Sequence, residues 1–244
     1  EREYYDSVEI SLITACPSEP VYMYFGHSAL SVSVPGKDAI IFDWGTFAFS
    51  PDFYKQFAFG LLYYSLTASY RDSRIVQFEW EDRTTTEIPL ELTPEAKRGI
   101  LLFLDENIKP ENTTYQYHYY KDNCATRIRD IYAYSKPGFR EWAESIETGK
   151  SYRDYAMPCF APSLFFAYFL NYLQGPEIDE PLNLYQACFL PSVLEDAVAE
   201  YESAEPSVLY ETRTRELVPE SYSLEIRAFA IGCITAALIA LTYA

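Results

Sequence analysis

The Asn123-Cys124 pair stands where an aromatic run gives way to a helical pattern, and no other feature constrains this chain as much. Asn123 belongs to the residue class that caps helices, its side-chain oxygen accepting from the free N–H groups of the first turn. Cys124 then takes the first helical position, where unpaired amide protons and the helix dipole favour negative charge. Both effects favour thiolate, the nucleophilic form of cysteine. The helix is predicted to run to about Ser135, where Pro137-Gly138 stops it.

Acyl transfer by a cysteine needs an imidazole within hydrogen-bond reach and a group that orients the imidazole. Only two histidines are present, His27 and His118. His27 lies in Phe25-Gly26-His27-Ser28-Ala29-Leu30, at the mouth of a strand, on the face of the small residues Ala29, Ser31 and Ser33. That face has room for a substrate; taken alone, the histidine reads more readily as a strand-end residue with a satisfied hydrogen bond. His118 lies six residues before Cys124 on the incoming strand. Direct contact with the thiol requires a tight bend there, and stacking among Tyr117, Tyr119 and Tyr120 is the other reading.

The orienting residue is Asp43 or Thr46. A two-residue turn at Gly36-Lys37 pairs position 27 with 46 and 43 with 30, which puts Asp43 on the wrong face and Thr46 on the right one. A one-residue bulge reverses this. Arg127 shares the helix face of Cys124 and is placed to bind a phosphate or an oxyanion, or else pairs with an acidic surface group. The Cys124 amide, with a further donor near Tyr119 or Tyr120, is the expected oxyanion site. Asn123 and Tyr120 thus join Arg127 as candidate substrate-binding residues.

Elsewhere, residues 8–15, 62–70, 75–80 and 86–92 read as strands, and 30–34 and 39–44 as the arms of a hairpin. Ser50-Pro51-Asp52 opens a short helix to Phe59, and Thr93-Pro94-Glu95-Ala96 opens a longer one to about Asn107. From Phe139 to Tyr201 the pattern is mostly helical with proline punctuation, and 208–217 reads as a final strand or linker. Strands followed by helices indicate an α+β fold.

A net charge of −17 provides no basic surface for phosphates and argues against nucleic acid as a partner. It also disfavours electrostatic adsorption to anionic lipid, so membrane contact must rest on apolar side chains. Residues 228–244 carry no charge and are almost wholly apolar, with Tyr222 and Tyr243 where interfacial anchors belong. Two units are expected: an extracytoplasmic domain over 1–220 and a transmembrane helix over 225–244, alone or the first of several, a buried globular helix being the other reading of the apolar run. No charged-then-apolar stretch opens the sequence, so a signal segment is expected to be either absent or already removed, removal being the favoured reading. Five cysteines leave at least one unpaired within the chain, and Cys159 and Cys188 are spaced to pair in an oxidising compartment. Metal-ligand spacing, a glycine-rich phosphate loop and a Gly-x-Ser-x-Gly elbow are all absent. No metal or cofactor is therefore expected.

The stretches Leu12-Ile13-Thr14-Ala15-Cys16-Pro17, Phe25-Gly26-His27-Ser28-Ala29-Leu30, Phe42-Asp43-Trp44-Gly45-Thr46-Phe47 and Asp122-Asn123-Cys124-Ala125-Thr126-Arg127 occur in that order. Together they resemble the extracytoplasmic domain of Lnb-type lipoprotein N-acyltransferases. The resemblance runs over roughly residues 8–200, including Gly175, Asp179 and Phe189-Leu190-Pro191. It implies a circularly permuted papain-like (NlpC-type) fold with helical additions, in the bacterial inner membrane with the catalytic domain on the periplasmic side. Cys124 is then the nucleophile and His27 the base; the family usually carries an amide at the position of Asp43. The implied reaction moves an acyl chain from a phospholipid, through a Cys124 thioester, to the N-terminal amine of a lipidated cysteine in a lipoprotein. A cell-wall cysteine peptidase or amidase on the same fold is the rival enzyme, with an open polar cleft beside Cys124. A membrane-tethered interaction domain, with Cys124 buried or bonded away from His27, is the non-enzymatic alternative.

Overall fold

Apolar alternation builds a hairpin-rich sheet, and capped amphipathic segments build the helices laid on it. The structure, a computed structural model, describes residues 2–47, 52, 55–56, 59, 61–214 and 234. After a short helix α1 (Arg2–Asp6) come strands β1 (Glu9–Ala15), β2 (His27–Ser33), β3 (Ile40–Thr46) and β4 (Tyr63–Tyr70). Helix α2 (Arg71–Trp80), strand β5 (Thr85–Pro89), helix α3 (Pro94–Asn107) and strand β6 (Thr114–Gln116) follow. Helix α4 (Cys124–Ser135) carries the cysteine, and α5 (Phe139–Glu144), α6 (Tyr152–Cys159), α7 (Leu164–Leu173), α8 (Leu184–Ala187) and α9 (Pro191–Glu202) come after it. A small two-stranded ribbon of β7 (Glu147–Ser151) and β8 (Pro181–Asn183) interrupts this helical half, and β9 (Ser207–Tyr210) returns to the sheet.

The result is α+β: a seven-stranded antiparallel sheet in the order β6-β4-β3-β2-β1-β5-β9. One face carries the main core, in which Ile10, Leu12, Leu30, Trp44 and Ile88 meet Ile100, Leu104, Ile128, Phe139 and Leu194 of the helices. The opposite face of β1–β3 is covered as well. There Ile13, Ala15, Ala29 and Ile41 form a second, smaller cluster around Phe78 of α2. Small side chains on the Ala29 face are thus explained by the close approach of α2, and β2 is buried on both faces.

Three expectations are corrected. Residues 75–80 lie in helix α2 and not in a strand; Ile75 and Phe78, three apart, face the second cluster, and the helical period shows only when the window starts at Arg71. The β2–β3 register is Leu30↔Phe42, Ser31↔Ile41 and Val32↔Ile40, one residue away from the pairing a turn at Gly36-Lys37 imposes. The tight turn runs from Val34 to Lys37 with Gly36 at φ +75°, and the return arm carries one residue more than the outgoing arm. That extra residue is the bulge that turns Asp43 onto the face of His27. Finally, Cys159 and Cys188 are free buried thiols, and burial pushes both up to about 12.

Among the described residues no helix is long and apolar enough to cross a membrane. The apolar run 228–244, apart from Ile234, and most of the helix expected at 50–59 lie outside the described residues.

Candidate active site

Three elements converge on one cavity. Helix α4 presents Cys124 at its first position, with Asn123 in extended conformation before it. Asn123 Oδ1 accepts from the Thr126 amide at 2.9 Å, and Thr126 Oγ1 accepts from the Asn123 amide at 2.8 Å, a reciprocal cap. Asn123 Nδ2 also donates to the carbonyls of Tyr119 (2.8 Å) and Phe189 (3.0 Å). The capping residue is therefore buried and fixed on both sides, and the position of Cys124 is fixed with it.

Strand β2 begins at His27, directly after Gly26 at φ +78°, a conformation that favours glycine. His27 Nε2 lies 2.8 Å from Asp43 Oδ1. An ionised carboxylate only accepts, so Nε2 carries the proton and Nδ1 is left to meet the Cys124 thiol, its other hydrogen-bond partner. The Ser28 backbone also hydrogen-bonds Cys124. Asp43 is buried at 3% exposure. Its Oδ1 accepts from the Gly45 amide at 2.9 Å, and its Oδ2 accepts from Arg74 Nε at 2.8 Å and Nη2 at 2.5 Å.

The charges follow from this geometry. Burial alone raises the Asp43 carboxyl, but His27 and Arg74 outweigh it and hold the group well below the usual carboxylate range. Burial alone lowers His27; the Asp43 and Cys124 charges overcome it and raise the imidazole to about 9. Burial alone raises the Cys124 thiol, and His27 with the Ser28 backbone overturns that and brings it below its ordinary value. Both shifts favour the thiolate–imidazolium form of the pair.

The pair opens on a cavity of about 480 Å³. One wall is aromatic: Tyr64 stacks on Phe47 (4.9 Å) and on Tyr117 (4.3 Å), and Phe25 meets Phe160 edge-on at 5.3 Å. The other wall, from β4 and α2, is polar, with Thr67, Ser69, Arg74, Gln77 and Glu81. Thr14 Oγ1, Ser28 Oγ and Trp44 Nε1 are buried donors with no partner among the described residues, and Trp44 lines the cavity.

The structure brings Cys124, His27, Asp43 and Asn123 together. It does not bring Arg127 or Tyr120 to the cavity. Arg127 forks onto Asp122 (2.6 and 2.9 Å) and lies 3.8 Å over the Tyr115 ring, fixing the loop that enters α4. Tyr120 packs behind the aromatic wall, 5.3 Å from Phe189, and its hydroxyl donates to Gln174. Thr46 lines the cavity but bonds Thr67, beyond the irregularity that follows Asp43, and leaves the orienting position to Asp43. His118 does bend tightly, its backbone pairing with Asp122, but its Nδ1 accepts from the Tyr120 and Lys121 amides within that turn. Sequence reasoning missed Arg74, hidden in a stretch read apart from its helix. It also missed the role of Gly45, although that residue lies within one of the stretches that carry the resemblance.

The family described as the Lnb N-terminal periplasmic domain matches residues 3–156, a span that contains His27, Asp43, Gly45, Arg74 and Cys124. No curated protein and no solved structure matches the chain. With well over half of its length matched, the chain belongs to the Lnb N-terminal periplasmic domain family.

Proposed function

We propose that this chain is a thiol-dependent acyltransferase that moves an acyl chain from a membrane phospholipid to the N-terminal amine of a lipidated cysteine in a lipoprotein. The observation that carries the reading is the Cys124–His27–Asp43 arrangement opening beside an aromatic wall in a single cavity. A nucleophile at a helix N-terminus facing a base on the adjacent sheet supports a permuted papain-like arrangement. The apolar run at 228–244 supports attachment to the bacterial inner membrane, with residues 1–220 on its periplasmic side.

In the first step the Cys124 thiolate attacks the ester carbonyl of the phospholipid. The ester C–O bond breaks, and the lyso-phospholipid leaves with the proton of the His27 imidazolium. The Cys124 amide at the open first turn of α4 is placed to stabilise the tetrahedral oxyanion. Acylation removes the negative charge of Cys124, one of the two charges that raise His27. The imidazole of the thioester intermediate therefore has a lower pKa and stays neutral, free to take a proton. In the second step it takes the proton of the attacking amine as the C–S bond breaks and the thiolate returns. The aromatic wall excludes water and protects the thioester from hydrolysis.

The test is incubation with phospholipid and a diacylated lipopeptide bearing a free N-terminal amine. Equal amounts of lyso-phospholipid and N-acylated peptide are expected, with neither in Cys124→Ala. Free fatty acid without N-acylation, or cleavage of peptidoglycan stem peptides, would instead identify a hydrolase or peptidase.

A further inference from the structure

The quartet of ionisable side chains around the cavity divides into two neutral pairs. Asp43 and Cys124 both present negative charge to one imidazole, so these three groups alone would bury a net negative charge beside the thiol. Arg74 supplies the missing cation. Its guanidinium approaches Asp43 Oδ2 through two nitrogens, opposite the oxygen that meets His27, and lies 4.3 Å from the centre of the Phe78 ring. Phe78 is itself fully buried in the second cluster, so the guanidinium rests on a fixed platform. The other groups facing this set add no net charge. Glu81 and Arg83 pair with each other, and the Tyr64, Tyr115 and Tyr117 phenols stay neutral, burial and the nearby thiolate raising each.

We propose that Arg74 is a positioning residue of this site: it neutralises Asp43, so that the carboxylate orients His27 without opposing ionisation of Cys124. The proposal rests on the acyltransferase reading only in so far as that reading requires an activated thiolate. Arg74→Gln leaves a surplus negative charge, which disfavours the thiolate and favours the imidazolium, so both titrations move up in pH. Asp43→Asn leaves a surplus positive charge and moves both down. The double variant Asp43→Asn/Arg74→Gln is neutral again and returns both towards the starting values. Loss of geometry alone would do otherwise, because each single change would then weaken the site in the same direction and the double variant would be weakest.

The experiment measures the rate of iodoacetamide alkylation of the Cys124 peptide against pH in the full chain, by mass spectrometry, for the four proteins and Arg74→Lys. The acid limb is expected to rise by about one unit in Arg74→Gln, an about tenfold slower reaction at pH values below it. It is expected to fall in Asp43→Asn, to lie near the unmodified position in the double variant, and to shift less in Arg74→Lys than in Arg74→Gln. Single-variant shifts of the same sign, or a double variant further displaced than either single, would overturn the role of Arg74. An unmodified protein whose Cys124 titrates like an ordinary thiol would instead overturn the activated nucleophile, and with it the functional reading.

Discussion

Gly45 lies against His27 so closely that a Cβ at this position would stand 2.5 Å from the imidazole Cε1 and 2.9 Å from Asp43 Oδ1. Its amide also donates to that same oxygen. The residue thus shapes the floor on which the imidazole and the carboxylate meet, and only a hydrogen fits there.

Gly45→Ala is therefore expected to keep the sheet and to move the His27 ring. A shift near 1 Å between reacting groups lowers rates about 100-fold. Acyl transfer should fall by that order while the far-ultraviolet circular dichroism spectrum stays unchanged. Retained activity would mean that the ring is free to move aside.

The pH dependence of acylation is expected to be bell-shaped. On the acid side, protonation of Cys124 below its depressed pKa removes the nucleophile. On the alkaline side, His27 loses its proton at about 9 and no acid remains for the leaving group. Stability carries the same signs. The His27 contribution is fully present below its unfolded value of about 6.5 and is lost as pH rises through about 9. The Asp43 contribution is present above its unfolded value of about 3.9 and is lost as pH falls through its depressed folded value. Chemical denaturation at a series of pH values checks both limbs.

Asn123→Ala removes a helix cap and the hydrogen bonds that Asn123 donates to the Tyr119 and Phe189 carbonyls. A loss of about 2–3 kcal/mol in urea unfolding is expected, the cap and the lost hydrogen bonds each contributing. Because α4 starts at Cys124, the alkylation rate of that residue should fall with it.

Arg127→Ala separates two readings of the same arginine. Its contacts are Asp122 and the Tyr115 ring, so a stability loss of about 1 kcal/mol is expected from the lost stacking and ion pair. The Michaelis constant for phospholipid should change by less than about threefold, since a residue that held the phosphate would contribute a charge-assisted bond. A large rise confined to that constant would place Arg127 at the substrate after all.

Cys124, its cap and the His27 face were legible because each depends on local chemistry: a helix start, a strand period, a scarcity of histidines. The α+β class followed from the order of those periods. Asp43 was harder, since its face depends on a single extra residue in the return arm of a hairpin, a long-range consequence of turn geometry. Arg74 was illegible for a different reason. Its partner sits on β3, with β4 between that strand and α2 in the chain, and the window that began at Ile75 cut Arg74 from the helical pattern to which it belongs. Arg127 and Tyr120 were misplaced by proximity in sequence: the tight turn at His118–Asp122 aims neighbouring side chains in different directions.

The most direct measurement is mass spectrometry of the intact chain after brief exposure to phospholipid, without an acceptor amine. One acyl group on Cys124, released by hydroxylamine and absent in Cys124→Ala and in His27→Gln, is the expected result. An unmodified Cys124 under conditions where the chain still N-acylates a lipopeptide would contradict a thioester route through this sulfur.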